Sequence, residues 1–361
     1  MTVRTFLVLA SLVLSVTTGL VLSRGGSASV APPQGPRPLY IGLSLDTLKE
    51  ARWQGDRDMF CERAKALGAE VVVQSANSDD AKQMSDVQAL ITRGVDVLVV
   101  VPHDGRAMAR AVELAHEAGI PVIAYDRLIR DVDLDLYVSF DNVRVGELQA
   151  RYVVDKLKPT PENPTKLLRI FGARSDNNAA LFKQGQDELL APLIERGAVS
   201  ILFEDWAEDW KPENAKRITN AAITQHGKTF GAILAANDGT AGGAIQALQE
   251  EGGTGGTLVT GQDADLVAVQ RIAAGTQSMT IYKPLKTLAR GAAELAVRLA
   301  QRKPVIARQS VNNGKIEVPA VLFDVVTVER NNIVTTIIAD GFLSYDDIYR
   351  DIAQTERPPR P

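Results

Sequence analysis

The sequence predicts an α/β fold made of two doubly wound lobes, and two patterns in its 361 residues support this prediction. The first is an alternation of short, continuously apolar runs with longer stretches of helical periodicity. Such runs are typical of parallel strands that are buried on both faces of a sheet. The second is a repeat, because the alternation starts again near the middle of the chain. Each half is therefore expected to form one α/β lobe.

Ten apolar runs are the predicted strands, with five in each half of the chain. They cover 39–45, 69–75, 95–101, 120–125 and 135–140 in the first half, and 166–171, 198–203, 230–236, 257–261 and 277–282 in the second. Gly68, Gly94 and Gly119 follow three of the intervening helical stretches. A glycine in the left-handed conformation commonly ends a helix in this way.

The two ends of the chain differ from this pattern. The first 28 residues resemble a secretory signal peptide, because Arg4 precedes an apolar run (6–22) and small residues (25–29) follow it. That run is near the lower length limit of a membrane-spanning helix, so an uncleaved N-terminal anchor is the alternative. Residues 29–37 form a proline-rich spacer. Residues 351–361 are expected to be a disordered tail.

The composition excludes several classes of function. The net charge of -4 argues against non-specific binding of nucleic acid, which requires a basic surface. A single cysteine, Cys61, excludes intrachain disulfides and CxxC metal or redox sites. Three dispersed histidines argue against a histidine-built metal site or a Ser-His-Asp triad. The sequence also lacks GxGxxG, Walker, HExxH and GxSxG motifs, so no metal and no cofactor are predicted.

Hydrogen-bonding side chains follow seven of the predicted strands, at the ends where α/β folds bind ligands. They are Asp46, Arg52, Asp126, Arg127, Asp176, Asn178, Asn237, Gln262, Asp263 and Lys283, with Trp53, Trp206 and Trp210 nearby. Carboxylate, amide and guanidinium groups suit sugar hydroxyls, which both donate and accept hydrogen bonds. An aromatic ring suits the apolar face of a sugar. Mixed acids and bases indicate a neutral polyhydroxylated ligand, because an anion site would be mainly basic.

Each of these side chains also has a purely structural interpretation. Aspartate and asparagine after a strand commonly cap the next helix. Arg52 and Lys283 are residue types found on solvated surfaces, and Trp53 and Trp206 are expected to be packing residues. The presence of compatible hydrogen-bonding side chains at seven strand ends nevertheless favours a binding site.

Longer strings in the sequence resemble the periplasmic sugar-binding proteins of ABC transporters, of the ribose/galactose type. They include AYDRLI (124–129), SDNNAALF (175–182), NDGTAGGAIQAL (237–248) and RIAAGTQSMTIYKP (271–284). The resemblance runs from about residue 39 to residue 345 and is greatest to the branch that binds D-xylose. It implies a type I periplasmic binding protein fold, in which a hinge of three chain crossings joins the lobes. Residues 102–106 and 172–174 depart from the family pattern.

The resemblance also implies lobe boundaries and site residues. The first lobe would comprise 38–143 and 285–325, and the second lobe 144–284 and 326–350. The sugar contacts of the family fall on Arg52, Asp126, Arg127, Asp176, Asn178, Trp210, Asn237, Asp263 and Lys283. In the family, the tryptophan lies against the sugar ring.

The function implied by the resemblance is not enzymatic. A periplasmic monomer would capture a monosaccharide, with D-xylose as the first candidate, and deliver it to an ABC permease and its ATPase subunit. A sensor that presents glucose, galactose or arabinose to a chemoreceptor or sensor kinase is the alternative. A glycosidase with Asp126 and Asp263 as paired carboxylates is a third reading, which the family resemblance opposes. A LacI-type repressor shares the core fold but needs a DNA-binding headpiece where the apolar signal lies.

Overall fold

The structure is a computed structural model that describes residues 37–361 except Glu50 and Thr254. The predicted signal peptide and all but the last residue of the predicted spacer lie outside the described residues. In the part of the chain that is described, no helix is long and apolar enough to cross a membrane.

The described residues form thirteen strands and ten α-helices. In chain order the strands are β1 (Leu39–Leu45), β2 (Ala69–Ser75), β3 (Val97–Val100), β4 (Val122–Tyr125), β5 (Leu136–Phe140), β6 (Thr165–Phe171), β7 (Val199–Trp206), β8 (Ala232–Ala235), β9 (Leu258–Val259), β10 (Thr280–Tyr282), β11 (Gln309–Asn312), β12 (Glu317–Phe323) and β13 (Val326–Val328). The helices are α1 (Ala51–Ala66), α2 (Asp80–Thr92), α3 (Ala109–Glu117), α4 (Asn142–Leu157), α5 (Asn177–Glu195), α6 (Pro212–His226), α7 (Asp238–Glu250), α8 (Leu266–Ala274), α9 (Leu285–Ala300) and α10 (Tyr345–Ile348).

Seven strands form one sheet, in the order β11-β12-β5-β4-β3-β1-β2. Its neighbouring strands are parallel except for the β11–β12 pair. Both faces of the sheet are buried: Val97 and Val99 of β3 belong to one apolar cluster, and Leu98 and Val100 belong to the other. This double burial explains why the run is apolar at every position. Helix α9 returns to the same sheet and buries Leu288 in the first of these clusters.

Four parallel strands form the second sheet, in the order β7-β6-β8-β9. All five strands predicted for the second half of the chain are present. The fifth, β10, differs from the prediction because it pairs antiparallel with β13 instead of joining the parallel ladder. A backbone hydrogen bond still connects it to the chain after β9, because the N–H of Ile281 donates to the carbonyl of Gly261 at 3.2 Å.

The chain passes between these two halves at three places, which lie after β5, after β10 and after β12. We call the half around the seven-stranded sheet the first lobe and the half around the four-stranded sheet the second lobe. Helix α4 follows the first crossing and packs on α5 of the second lobe. The two helices approach so closely that a Cβ atom at Gly146 would lie 1.9 Å from the carbonyl oxygen of Phe182. The residues at which each lobe begins and ends remain a prediction.

Residues 351–361 do not match the expectation of a disordered tail. Gln354–Glu356 forms a 3-10 turn. The Tyr345 hydroxyl donates to the carbonyl of Pro358 at 2.5 Å, and Arg360 forms an ion pair with Asp346. Prolines lack a backbone donor, but their carbonyl groups still accept hydrogen bonds. The tail is therefore ordered by contacts with α10, which the local composition does not reveal.

Candidate functional site

A cavity of about 480 Å³ is lined by residues that follow strands of both lobes. Its volume is in the range of small-molecule binding sites. The structure brings all nine candidate residues to this cavity: Arg52, Asp126, Arg127, Asp176, Asn178, Trp210, Asn237, Asp263 and Lys283. Their individual contacts with a sugar remain predictions.

Arg52 connects the two lobes. Its guanidinium group donates a hydrogen bond to Asp126 of the first lobe and contacts Asp263 Oδ1 of the second lobe at 3.4 Å. Lys283 Nζ lies 3.3 Å from the same oxygen. Burial alone would lower the pKa of Arg52, but the carboxylates of Asp126, Asp263 and Asp56 outweigh it and raise this pKa. Asp263 therefore faces two cations through Oδ1, and its Oδ2 has no hydrogen-bond partner among the described residues.

Arg127 forms a second connection between the lobes. Its Nη1 donates to Asp46 Oδ2 at 2.8 Å, and its Nε lies 3.1 Å from Asp176 Oδ2 of the second lobe. The Trp53 ring lies under both arginines, with its centre 4.4 Å from the Arg52 guanidinium carbon and 5.4 Å from that of Arg127. These cation–π contacts hold the two guanidinium groups in place. Trp53 is thus a packing residue, as expected, that also lines the cavity.

Asp176 and Asn237 cap helices and also line the cavity. Asp176 Oδ1 accepts a hydrogen bond from the backbone N–H of Asn178 at 2.9 Å, while Oδ2 faces Arg127. Asn237 Oδ1 accepts from the backbone N–H of Thr240 at 2.9 Å, and its Nδ2 has no partner in the described part of the chain. The capping and ligand interpretations are therefore compatible, because each side chain has two polar atoms.

Trp210 supplies an aromatic wall. Its ring meets Phe182 edge-on, with 6.3 Å between the ring centres. A Cβ atom at Gly172 would lie only 2.0 Å from Cη2 of the Trp210 ring. The indole ring can therefore pack against this backbone only because Gly172 has no side chain. The segment 172–174, which departs from the family pattern, thus supports the aromatic wall.

Three of the nine residues have left-handed backbones although none is glycine. They are Asp126 (φ 63°), Trp210 (φ 58°) and Asp263 (φ 94°). Such conformations cost about 1–3 kcal/mol each and persist only where neighbouring groups fix them. Here the N–H of Asp126 donates to Val138, that of Trp210 to Ala207 and that of Asp263 to Ile281, at 2.8, 3.1 and 2.9 Å.

The cavity also has lining residues that were not among the nine candidates. Asp46 directly follows β1, and Phe182 lies one helical turn after Asn178 on α5, so helical spacing was a usable signal. His103 and Lys211 line the cavity from irregular segments, and Asp209 lines it from the short 3-10 turn Glu208–Trp210. No periodic pattern marks such positions. His103 belongs to segment 102–106, the other departure from the family pattern.

Asp56 is buried under Arg52, with its Oδ2 3.7 Å from the Arg52 Nε. Burial raises the pKa of Asp56 to about 7 against the attraction of Arg52, from an ordinary value of 3.8. The folded protein therefore binds this proton more tightly than the unfolded chain does. We expect the free energy of unfolding to fall as pH rises from about 4 to about 7.

The Asp56→Asn variant, which cannot ionise, should lose this part of the pH dependence. Urea unfolding at several pH values between 4 and 8 measures it. Asp58→Asn is the matched control, because Asp58 lies on the same helix with 67% of its side chain exposed. If the free energy of unfolding falls equally steeply with pH in the wild type and in Asp56→Asn, the prediction is wrong.

Two α/β lobes that share one polar cavity define a bilobed ligand-binding protein. Residues 41–304 match the family model described as a periplasmic binding protein domain. The chain belongs to this periplasmic binding protein family and has its type I fold, as predicted. The members of this family bind substrates and are not enzymes.

Two relatives and one solved structure indicate what the chain is similar to. It is 46% identical over 313 residues to the D-xylose-binding periplasmic protein of Haemophilus influenzae. This match covers 87% of this chain and 93% of the relative. It is 31% identical over 352 residues to the multiple sugar-binding periplasmic receptor of Rhizobium radiobacter, over 93% and 99% of the two chains. The crystal structure of a carbohydrate transporter solute-binding protein from Chloroflexus aurantiacus in complex with D-glucose matches with a TM-score of 0.79. That match has 37% identity and covers 86% of this chain and 98% of the other.

Proposed function

We propose that this protein captures a monosaccharide, D-xylose first among the candidates, and delivers it to an ABC permease driven by an ATPase subunit. The observation that carries the proposal is that the nine residues predicted to contact the sugar all line one cavity between the lobes. The 46% identity to a D-xylose-binding relative supports the choice of sugar. The N-terminal sequence pattern and the periplasmic relatives support a periplasmic location after export.

The charges that line the cavity favour a neutral ligand. The acidic side chains are Asp46, Asp126, Asp176, Asp209, Asp263 and Asp265, and the basic ones are Lys49, Arg52, Arg127, Lys211 and Lys283. With the two signs nearly balanced, a charged sugar derivative gains no net attraction and still loses its hydration. Hydroxyl groups can instead use both kinds of side chain.

The two lobes supply different parts of the site, so a bound ligand can draw them together. Arg52 and Arg127 come from the first lobe, and Asp263, Asn237 and Trp210 come from the second. A sugar that contacts both sets binds the closed arrangement more tightly than an open one, so it shifts the population toward closure. The closed surface would then be what the permease recognises. No bond is made or broken in the sugar.

A panel of sugars tests this function. We expect D-xylose to raise the melting temperature of the purified protein most, ahead of L-arabinose, D-glucose and D-galactose. A sugar at one hundred times its Kd stabilises the folded state by about 2.7 kcal/mol. D-glucuronate and D-glucosamine, which carry opposite charges, should have little effect. If none of the neutral sugars shifts the melting temperature or gives heat in calorimetry, the proposal is wrong.

The relative that is named a receptor favours a second candidate function. The same site and the same closure would serve a sensor that presents glucose, galactose or arabinose to a chemoreceptor or sensor kinase. Deleting the gene in its host separates the two functions. Loss of labelled D-xylose uptake supports transport, whereas retained uptake with a lost response to sugar supports sensing.

The Gly172→Ala variant tests the position of Trp210. The added methyl group would collide with the indole ring, so the ring must move and the affinity for D-xylose should fall by about 10- to 100-fold. Calorimetry measures this change. Gly55→Ala is the control, because the nearest atom to its added carbon is 3.9 Å away. Equal affinities of Gly172→Ala and wild type would contradict the assigned role of Gly172.

A further inference from the structure

The loop between β9 and α8 carries the predicted sugar contact Asp263 in a strained conformation. We call residues 260–265 the Asp263 loop. Asp263 (φ 94°) and Ala264 (φ 57°) both have left-handed backbones, although neither is glycine. Such conformations persist only where neighbouring groups fix them. The groups that fix this loop therefore decide where the Asp263 carboxylate lies in the cavity.

Asp238, the first residue of α7, contacts the Asp263 loop from the side away from the cavity. It is 1% exposed and is not among the residues that line the cavity. Its Oδ2 accepts a hydrogen bond from the N–H of Asp265 at 3.0 Å and another from the Thr280 hydroxyl at 3.0 Å. Thr280 Oγ1 accepts in turn from the N–H of Ala264 at 3.2 Å. Asp238 thus holds the end of the loop both directly and through Thr280.

The beginning of the Asp263 loop also lies against Asp238. A Cβ atom at Gly261 would lie 2.0 Å from Asp238 Oδ1, so the loop can run past the carboxyl group only because Gly261 has no side chain. The backbone N–H of Asp238 donates to the carbonyl of Gln262 at 2.9 Å. Asp238 therefore contacts the loop on both sides of Asp263.

The partner of the other carboxylate oxygen is itself fixed in orientation. Asp238 Oδ1 accepts from Nε2 of Gln277 at 2.8 Å. The Gln277 amide also accepts from Arg271 Nε at 2.9 Å and donates to the carbonyl of Met279 at 3.1 Å, so it cannot turn over without losing both bonds. All three groups that bond to the Asp238 side chain are donors. A carboxylate, which only accepts, is the side chain that suits them.

Asp238 also interacts with Asp263 through charge. Burial, followed by the charges of Asp265 and Asp263, raises the pKa of Asp238 well above its usual range, against the hydrogen bonds from Gln277 and from the N–H of Asp265. A buried carboxyl group beside two other acids is costly, and an apolar residue would avoid that cost. Its presence here therefore indicates a role for its two acceptor oxygens, and the residues they hold belong to the Asp263 loop and to its support on β10.

We propose that Asp238 is a positioning residue for sugar binding, which acts through the Asp263 loop to set the place of the Asp263 carboxylate. The inference rests on the proposed function, because it concerns the same site. Asp238 does not touch the sugar. It orders an acceptor for a sugar hydroxyl before the sugar arrives, so less conformational freedom is lost on binding.

Asp238→Asn keeps the size of the side chain but replaces one acceptor oxygen with a donor. Whichever way the new amide turns, its NH2 group faces either the Gln277 amide or the donors of Asp265 and Thr280. Because facing donors leave each other unsatisfied, the loop should shift and the affinity for D-xylose should fall by about 5- to 30-fold. The matched control is Glu213→Gln, which neutralises an exposed acid in the first turn of α6, away from the cavity lining, and should leave Kd unchanged.

A double-mutant cycle separates positioning from a general loss of structure. If Asp238 acts through Asp263, Asp238→Asn should lower affinity by less than about 2-fold in a protein that already carries Asp263→Ala. Calorimetry with D-xylose measures the four Kd values of the cycle. An equal fold-loss in both backgrounds, or no loss in the wild-type background, would overturn the positioning role.

Hydrogen exchange of the sugar-free protein gives a second measurement, which does not depend on the sugar. Mass spectrometry of a peptide that covers 260–266 should show faster exchange in Asp238→Asn than in the wild type, while peptides from α5 remain unchanged. Exchange that is unchanged in the loop, or faster throughout the second lobe, would contradict the proposal.

Thr280→Val is the second variant, because it removes the hydroxyl that connects Asp238 to Ala264 and does not line the cavity. It should change the loop exchange and the affinity in the same direction as Asp238→Asn, and it decides the question if Asp238→Asn does not fold. If the wild type binds no sugar, the proposed function fails. The exchange of the Asp263 loop in the variants still supports or overturns the positioning of that loop by Asp238.

Discussion

Asp263→Ala is expected to lower the affinity for D-xylose by about 30- to 1,000-fold. Asp263 Oδ1 lies between Arg52 and Lys283, at 3.4 and 3.3 Å. Removing the carboxylate leaves two cations facing each other, and Lys283 is only 2% exposed. It also removes Oδ2, which is available as an acceptor for a sugar hydroxyl.

Calorimetry with the purified variant measures this loss. Asp263→Asn should lose less affinity, because the amide keeps the size of the side chain and one acceptor oxygen. Asp58→Ala is the matched control, since Asp58 is exposed on α1 and does not line the cavity. An unchanged Kd for Asp263→Ala would remove Asp263 from the site.

Trp210→Ala is expected to lower the affinity for D-xylose by about 30- to 300-fold. The ring fills the wall between Phe182 and the backbone of Gly172, so its removal takes away the apolar face of the site. The same position predicts an optical signal. Sugar binding should change the tryptophan fluorescence, and Trp210→Phe should abolish most of that change.

Trp206→Phe is the matched control for both measurements. The Trp206 ring packs on Phe171 with 4.9 Å between ring centres and lies under Arg174, outside the cavity lining. Its replacement should keep the affinity and most of the fluorescence change. A Trp210→Phe variant that retains the full signal would refute the assignment of Trp210.

The sequence contained enough information for the fold class and for the assembly of the cavity. A strand that is buried on both faces of its sheet is apolar at every position, so it can be recognised in the sequence. Strand β3 is an example. Because parallel strands align their carboxyl ends, the sequence alone predicts that Asp126 and Asn237 each lie at the carboxyl edge of a sheet. The family resemblance then selected the nine residues that the structure places around the cavity.

The rest depends on contacts between distant segments, which leave no local pattern. Gly172 looks like any loop glycine until Trp210 is seen against it. Asn178 lies two residues after Asp176 in the sequence, and only the structure shows that its amide also reaches the carbonyl of Asp126 and the side chain of Asn142. The order of the C-terminal tail likewise depends on its partners in α10.

The left-handed backbones of Asp126, Trp210 and Asp263 imply a conflict between stability and affinity. Glycine adopts these conformations without the steric penalty of a side chain, so a glycine there would relieve local strain while deleting a side chain that is predicted to contact the ligand. Screening variants for heat resistance alone would therefore tend to enrich changes that impair capture. To make a more thermostable variant for use as a sugar sensor, substitutions should be chosen far from these three positions.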